Sequence, residues 1–321
     1  MSPSSDSSLH TSEESEAGLL GSASAVRRSA LRRRKSLGEI VMIAPALVLV
    51  SVLILGPIFV AFGFSLTDWN GFTMPPNWVG LENYGRIFTD ERIVSAAILT
   101  ALITVVGTIA CNVIGLSVAL LLNRPTRINS LGRTLVFYPF VVGPIIIGFL
   151  WSAILGSNGA INATLVAVGL DKLPFTSDPS WATASLIGVI VWSTFGINVV
   201  LYLAALQTIP EPLLEAAKID GASPFQTFWN VTLPLLAPAV TVNVILVAIG
   251  FLRTYELVLS FTSGGPAGAT ETVVFSILST SFARAQLGFG AAQSFVLLVM
   301  IIAVTLVITR LRRKSEEAVS A

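Results

Sequence analysis

The sequence predicts an all-α polytopic membrane protein with six transmembrane helices. Its 321 residues are 54% hydrophobic and only 12% charged, whereas soluble domains carry about 25% charged residues. The mean hydropathy is +0.81. Six runs contain no charged residue, and each can hold one helical crossing, which takes roughly 20 apolar residues. The runs are 40–67, 93–123, 134–170, 181–210, 222–252 and 285–309.

Each run contains one predicted span, although the third run could hold either one crossing or two. Pro45 and Pro57 predict a bent first helix. The third run is long enough for two crossings, but turn residues at 156–159 interrupt it. We therefore expect its second half to be an interfacial segment on the outer face. The predicted spans are 40–66, 94–122, 134–155, 181–206, 233–259 and 289–310.

The distribution of Lys and Arg predicts the orientation of the chain. Most of the 19 basic residues fall before the first span, in the second and fourth connections, and after the last span. Basic residues mark the cytoplasmic side, so both termini are predicted to be cytoplasmic. That arrangement requires an even number of spans, which six satisfies. We expect a multi-pass protein of the cell (inner or plasma) membrane.

Four segments follow from these boundaries. The first, 1–38, is Ser-rich and then basic, and is expected to be a disordered cytoplasmic tail. Residues 39–92 contain the first transmembrane helix and an outer loop. Residues 93–312 form the transmembrane core, which includes a polar segment at 207–232, and residues 313–321 form a cytoplasmic tail.

The sequence excludes most enzyme chemistry. Its one histidine, His10, lies in the N-terminal tail, and its one cysteine, Cys111, lies in the second span. A Ser-His-Asp site and a His/Cys metal site are therefore excluded from the folded part. There is no G-x-x-x-x-G-K-[ST] phosphate-binding loop. We expect a chain that is not an enzyme and that binds no metal or cofactor itself.

The predicted spans also lack the ionisable groups that ion-coupled carriers place at mid-membrane. The candidates, Arg253 and Glu256, fall near the outer end of the fifth span. Their i, i+3 spacing predicts that they share one helix face and can pair. Any transport must therefore be driven from outside this chain.

The polar segment contains a motif that suggests where such a driver binds. Glu215-Ala216-Ala217, Gly221 and Val231-Thr232-Leu233-Pro234 resemble the E-A-A-x3-G-x9-I-x-L-P signature of membrane subunits of ATP-binding-cassette (ABC) importers. Small residues let a partner approach a short helix, and a glycine permits a sharp turn after it. Pro234 suits the first turn of the next membrane helix. An ordinary amphipathic loop helix is the alternative.

Further elements resemble the permeases of carbohydrate importers. They are Ser65-Leu66-Thr67-Asp68-Trp69, Val79-Gly80-Leu81-Glu82-Asn83-Tyr84, Thr262-Ser263-Gly264-Gly265-Pro266, Thr270-Glu271-Thr272 and Phe289-Gly290-Ala291-Ala292. The Gly-Pro turn would shape a rigid outer loop where a binding protein docks, or would simply end a helix. Trp69, Trp78 and Tyr84 fit an interfacial aromatic belt as well as ligand contact.

The resemblance implies a type I ABC importer permease fold with five core helices, spans two to six, and one extra N-terminal helix. It implies a heterodimer with a second permease subunit, an ATPase dimer that uses ATP and Mg, and an extracytoplasmic solute-binding protein that delivers a sugar. The ATPase-coupling residues would be Glu215, Ala216, Ala217, Asp220 and Gly221.

The path of the substrate is predicted from polar and aromatic residues within the spans. The candidates are Asn112, Asn198, Asn243, Thr254, Tyr255 and Glu256. Interhelical hydrogen bonding explains each of them equally well. Asn243, Tyr255 and Glu256 rank highest, because the fifth span follows the coupling motif directly. A glycerol phosphate or polyol as cargo, and an ATP-independent secondary carrier, remain as alternatives.

Overall fold

The computed structural model describes residues 43–320 and the side chains of residues 43–311. The predictions for the tail 1–38, including His10, lie outside the described residues. The described chain folds into helices, named here in chain order. They are α1 Ile43–Ser65, α2 Glu82–Thr89, α3 Glu91–Leu122, α4 Arg127–Val141, α5 Pro144–Leu155, α6 Ala160–Ala167, α7 Pro179–Leu206, α8 Glu211–Ile219, α9 Pro224–Leu235, α10 Ala237–Leu252, α11 Glu256–Phe261, α12 Val273–Ala283 and α13 Leu287–Ser320.

The all-α membrane fold is confirmed. Among the described residues, five segments are long and apolar enough to cross a bilayer: α1, α3, Pro144–Ala167, α7 and Leu287–Leu311. Helices α9 and α10 meet at an angle of 67° and bring the number to six when they are counted as one span. The final helix continues to Ser320, into the predicted tail 313–321.

The described residues form two units, 43–60 and 61–320. The first is the apolar N-terminal part of α1, and none of its side chains is buried. It contains a π-helical turn, Ser51–Leu55, just before Pro57. Such turns are common where a proline disturbs the hydrogen bonding of a helix.

The core of the second unit is the packing of α3 against α7. Ile103 and Leu186 are fully buried there. Two glycines allow the backbones of neighbouring helices to approach closely, as small residues do in membrane bundles. A Cβ atom added to Gly115 of α3 would lie 2.6 Å from the Cβ atom of Asn198. One added to Gly196 of α7 would lie 2.4 Å from the carbonyl oxygen of Val136 in α4.

Two predicted spans are interrupted in the structure. The segment long enough to cross here is Pro144–Ala167, and the third span, expected as 134–155, is broken between α4 and α5 at Val142-Gly143. Pro144 explains this break, because proline disfavours a helical conformation in the residue before it. The fifth, expected as 233–259, takes in the end of α9, the whole of α10 and most of α11, with a break at Arg253-Thr254-Tyr255 between α10 and α11.

The outer loop after α1 is tied together by the two motifs that flank it. The side-chain amide of Asn83 donates to the carbonyl oxygens of Ser65 and Thr67 at 2.9 and 2.8 Å. Asn77 donates its backbone and side-chain N–H groups to Asp68 at 2.8 and 2.9 Å. These bonds, the side-chain one above all, hold the pKa of Asp68 below its ordinary value. Both motifs therefore have a structural role.

Candidate functional site

Helix α8 presents the E-A-A motif on its surface. Glu215 and Ala216 are exposed, and Ala217 is half-buried. Glu211 and Lys218 lie in the first and last turns, where their charges favour the helix dipole. The short side chains of the two alanines leave the backbone of α8 accessible to a partner at this point.

The end of α8 is a Schellman motif, which confirms the sharp turn predicted at Gly221. The N–H of Ala222 donates to the carbonyl oxygen of Ala217 at 3.0 Å, and the N–H of Gly221 donates to that of Lys218 at 3.1 Å. Gly221 has a φ of 76°, a conformation that glycine adopts without steric cost. Asp220 is the exposed residue at which α8 ends.

A short connection joins α8 to α9. Ser223 and Gln226 form a capping box at the start of α9, with bonds of 2.8 and 3.3 Å. Both ends of the connection are therefore fixed by hydrogen bonds. Pro234 lies at the start of the helical turn Leu233–Leu235, just before α10. Pro238 occupies the first turn of the membrane helix α10.

Helices α8 and α9 carry large apolar side chains that are exposed. Leu213 and Ile219 of α8 are 45% and 85% exposed, and Phe225 and Trp229 of α9 are 71% and 51% exposed. The rings of Phe225 and Trp229 lie edge to face, with centroids 6.0 Å apart. The E-A-A motif does not include these residues, although large apolar residues in a short polar segment were a usable signal.

A cavity of about 340 Å³ lies where the interruptions of the two spans meet. Phe140 and Pro144 line it on the α4–α5 side, and Ser193 and Thr194 of α7 line it opposite. The break between α10 and α11 contributes Arg253, Thr254, Tyr255 and Glu256. Its size is within the range of small-molecule sites, and like them it is lined mainly by apolar side chains with a few polar groups among them.

The predicted path residues divide between the cavity and the core. Tyr255 and Glu256 line the cavity. Asn243 does not line it; its side chain is 1% exposed, and its amide donates to the carbonyl oxygen of Ala239 at 3.0 Å. Asn112 accepts a hydrogen bond of 2.6 Å from the Tyr202 hydroxyl, which joins α3 to α7.

The predicted pairing of Arg253 with Glu256 is wrong. Helix α10 ends at Leu252 and α11 begins at Glu256, so the two side chains do not share a continuous helix face. The ion pair found among the described residues is Arg92 with Glu271. Sequence reasoning missed this pair because the partners are 179 positions apart.

With this geometry established, comparison with known proteins decides the family. A family model described as "Binding-protein-dependent transport system inner membrane component" matches residues 111–320, about two thirds of the chain. The chain belongs to this family of transport-system membrane components. It is a membrane-spanning permease subunit of an ATP-driven ABC importer and not an enzyme.

Relatives of this importer permease match it over most of their length. The probable starch degradation products transport system permease protein AmyD of Thermoanaerobacterium thermosulfurigenes is 31% identical over 85% of this chain and 93% of its own. The trehalose/maltose transport system permease protein MalF of Thermococcus litoralis is 33% identical over 89% and 97%. A chain in the crystal structure of a bacterial ABC transporter involved in the import of the acidic polysaccharide alginate superposes with a TM-score of 0.76 at 21% identity. The match covers 88% of this chain and 99% of that chain, and supports the fold.

Proposed function

We propose that this importer permease forms the path for a sugar together with a second permease subunit, and that an extracytoplasmic binding protein delivers the sugar. The relatives named for starch degradation products and for trehalose/maltose support a sugar as cargo. The 340 Å³ cavity supports it chemically, because Tyr255 supplies a ring and Thr254 and Glu256 supply hydrogen-bonding groups.

An ATPase dimer that uses ATP and Mg is the proposed source of energy, and α8 is its proposed contact. The observation that carries this proposal is the exposed E-A-A helix, which is held by the Schellman motif and followed by a short capped connection to α9. A displacement of α8 would therefore be transmitted to α10, because the short capped connection would absorb little of the movement. Such a displacement changes the cavity only if the ATPase binds its two conformations with different affinity.

A glycerol phosphate is a weaker candidate for the cargo. A relative at 30% identity, in Agrobacterium fabrum, is named an sn-glycerol-3-phosphate transport system permease protein UgpA. Among the described residues that line the cavity, however, Arg253 is the one cation, and Glu256 is an acid beside it. A dianionic phosphate ester would be repelled by that carboxylate.

The first test is purification of the tagged chain in gentle detergent, followed by identification of the proteins that co-purify with it. The second is an assay of the uptake of radiolabelled maltose and of radiolabelled glycerol 3-phosphate by cells. The parent is expected to recover a second permease and an ATPase, and Glu215→Lys is expected to lose the ATPase. Glu82→Lys, an equal charge reversal at an exposed residue of the short helix α2, is the matched control and should retain it. Recovery of the chain alone, with uptake that persists after ATP depletion, would indicate a secondary carrier.

A further inference from the structure

Three consecutive buried side chains connect the outer Gly-Pro turn to the cavity. Thr270, Glu271 and Thr272 are 0%, 5% and 0% exposed. Burial of a carboxylate and two hydroxyl groups costs free energy unless each group has a partner. The partners of this segment, named here the T-E-T segment, therefore indicate what it does.

Thr270 holds the outer turn. Its hydroxyl donates to the carbonyl oxygen of Gly265 at 2.6 Å and shares a hydrogen bond of 2.6 Å with the hydroxyl of Thr262. Between these residues Ser263 and Gly264 have φ values of 52° and 82°. The left-handed conformation is uncommon for serine, so the turn depends on such fixed contacts.

Glu271 holds two helices. The Nε atom of Arg92, at the start of α3, donates to the carboxylate at 2.7 Å, and its Nη2 atom pairs with the second oxygen. The same Nη2 atom donates to the hydroxyl of Ser279 in α12 at 3.0 Å. A two-point arginine–carboxylate pair fixes orientation as well as distance.

Thr272 reaches the cavity. It precedes α12, but its hydroxyl does not cap that helix; it donates to the backbone carbonyl oxygen of Thr254 at 2.8 Å. Thr254 belongs to the break that lines the cavity. The ring of Phe275 in α12 lies 6.1 Å from the ring of Tyr255, and a Cβ atom on Gly264 would lie 2.9 Å from its edge. Helix α12 therefore contacts both the outer turn and the cavity lining.

We propose that the T-E-T segment positions the cavity lining, so that contact at the outer turn changes the conformation of Arg253–Tyr255. Thr272 is the positioning residue, and the Arg92–Glu271 pair fixes the segment that carries it. The inference rests on the proposed function, because the docked binding protein is the source of that contact. The hydrogen bond from Thr272 reaches the break at a backbone carbonyl group, that of Thr254.

The test uses a cysteine reporter in the cavity. The Ser193→Cys variant of the assembled transporter is placed in nanodiscs, and the rate at which a polar maleimide labels Cys at position 193 is measured. The native Cys111 is fully buried and should not react. Thr272→Val, which removes one hydroxyl group, is expected to change that rate by about twofold to twelvefold, since a hydrogen bond contributes about 0.5–1.5 kcal/mol. Thr272→Ser should restore the parental rate.

A second readout separates positioning from general damage. In Thr272→Val, the stimulation of ATPase activity by the co-purified, sugar-loaded binding protein should be lost while the unstimulated activity stays within about twofold. The matched control is Thr305→Val, since Thr305 is a half-buried threonine whose hydroxyl bonds within α13 at 2.8 Å. It should behave as the parent.

If Thr272→Val is absent from the membrane, Arg92→Lys is used instead, because this substitution keeps the positive charge and loses the two-point contact with Glu271.

The outcomes distinguish the inference from the proposed function. Parental labelling and parental stimulation in Thr272→Val, or in Arg92→Lys where that variant is needed, would overturn the inference alone. A parent complex that contains no ATPase would overturn the proposed function, and the labelling rates of the parent and Thr272→Val would still decide whether Thr272 positions the cavity.

Discussion

Gly221 is the residue on which the geometry after α8 depends. Proline has a fixed φ near −65°, whereas this position has 76° and uses its N–H as a donor. We expect Gly221→Pro to lower uptake by about tenfold or more, with the amount of protein in the membrane unchanged. Gly221→Asn is the matched variant, because asparagine tolerates the left-handed conformation, and it should retain most of the uptake. Parental uptake by the proline variant would contradict this role of the turn.

Tyr255 is the residue that we expect to matter most for the cargo. Loss of an aromatic contact costs about 0.5–1.5 kcal/mol beyond burial, so Tyr255→Ala should lower maltose uptake by roughly twofold to twelvefold. Tyr138→Ala removes the same side chain at an exposed position of α4 that does not line the cavity. Equal uptake by the two variants would mean that Tyr255 has no part in the path.

The residue scale also shows the limit of sequence reasoning. The spacing of Glu215, Ala216, Ala217 and Gly221 predicted both the helix and its terminal turn, because those features depend on neighbouring residues. The partner of Arg92 could not be predicted, since Glu271 is distant in the sequence. In the sequence, Asn243 and Tyr255 had equal standing as candidates for the path. Only the packing of the helices shows that Asn243 lies in the core and that Tyr255 lines the cavity.

At the scale of elements, the crossing of α4 and α7 depends on Gly196. An added methyl group would overlap the backbone of Val136, and overpacking costs about 1–3 kcal/mol. We expect Gly196→Ala to lower the midpoint of thermal unfolding of the purified transporter. Gly188→Ala is the control on the same helix, because nothing lies within 4 Å of its added Cβ atom. The same midpoint for both variants would rule out a close crossing at this glycine.

The elements themselves were predicted unevenly. Helices α3 and α7 match their charge-free runs closely, because hydropathy alone determines a long apolar helix. The break at Arg253-Thr254-Tyr255 was not predicted, since those residues contain no proline or glycine and their conformation depends on contacts such as that of Thr272. The break at Val142-Gly143 did have a local signal, the following Pro144, but the long apolar run made a continuous helix the simpler prediction.

For the molecule as a whole, the predicted orientation remains to be measured. The basic residues predict that both termini and α8 face the cytoplasm. A green fluorescent protein fused after residue 321 is expected to fluoresce, and alkaline phosphatase inserted in the outer loop at 68–81 is expected to be active. Phosphatase inserted in the connection 123–126 is the control and should be inactive. The reverse pattern would place α8 on the side away from any cytoplasmic ATPase.

The contact between Thr272 and the cavity has a consequence for how such a transporter changes its cargo. The hydroxyl of Thr272 bonds to a main-chain oxygen, which every amino acid provides. The side chains at 253–256 can therefore be exchanged without loss of the bond that holds them in place. The residues that select the cargo are therefore distinct from the hydrogen bond that holds them in place. A new preference for cargo can evolve by point substitutions in this short segment while the surrounding helices stay unchanged.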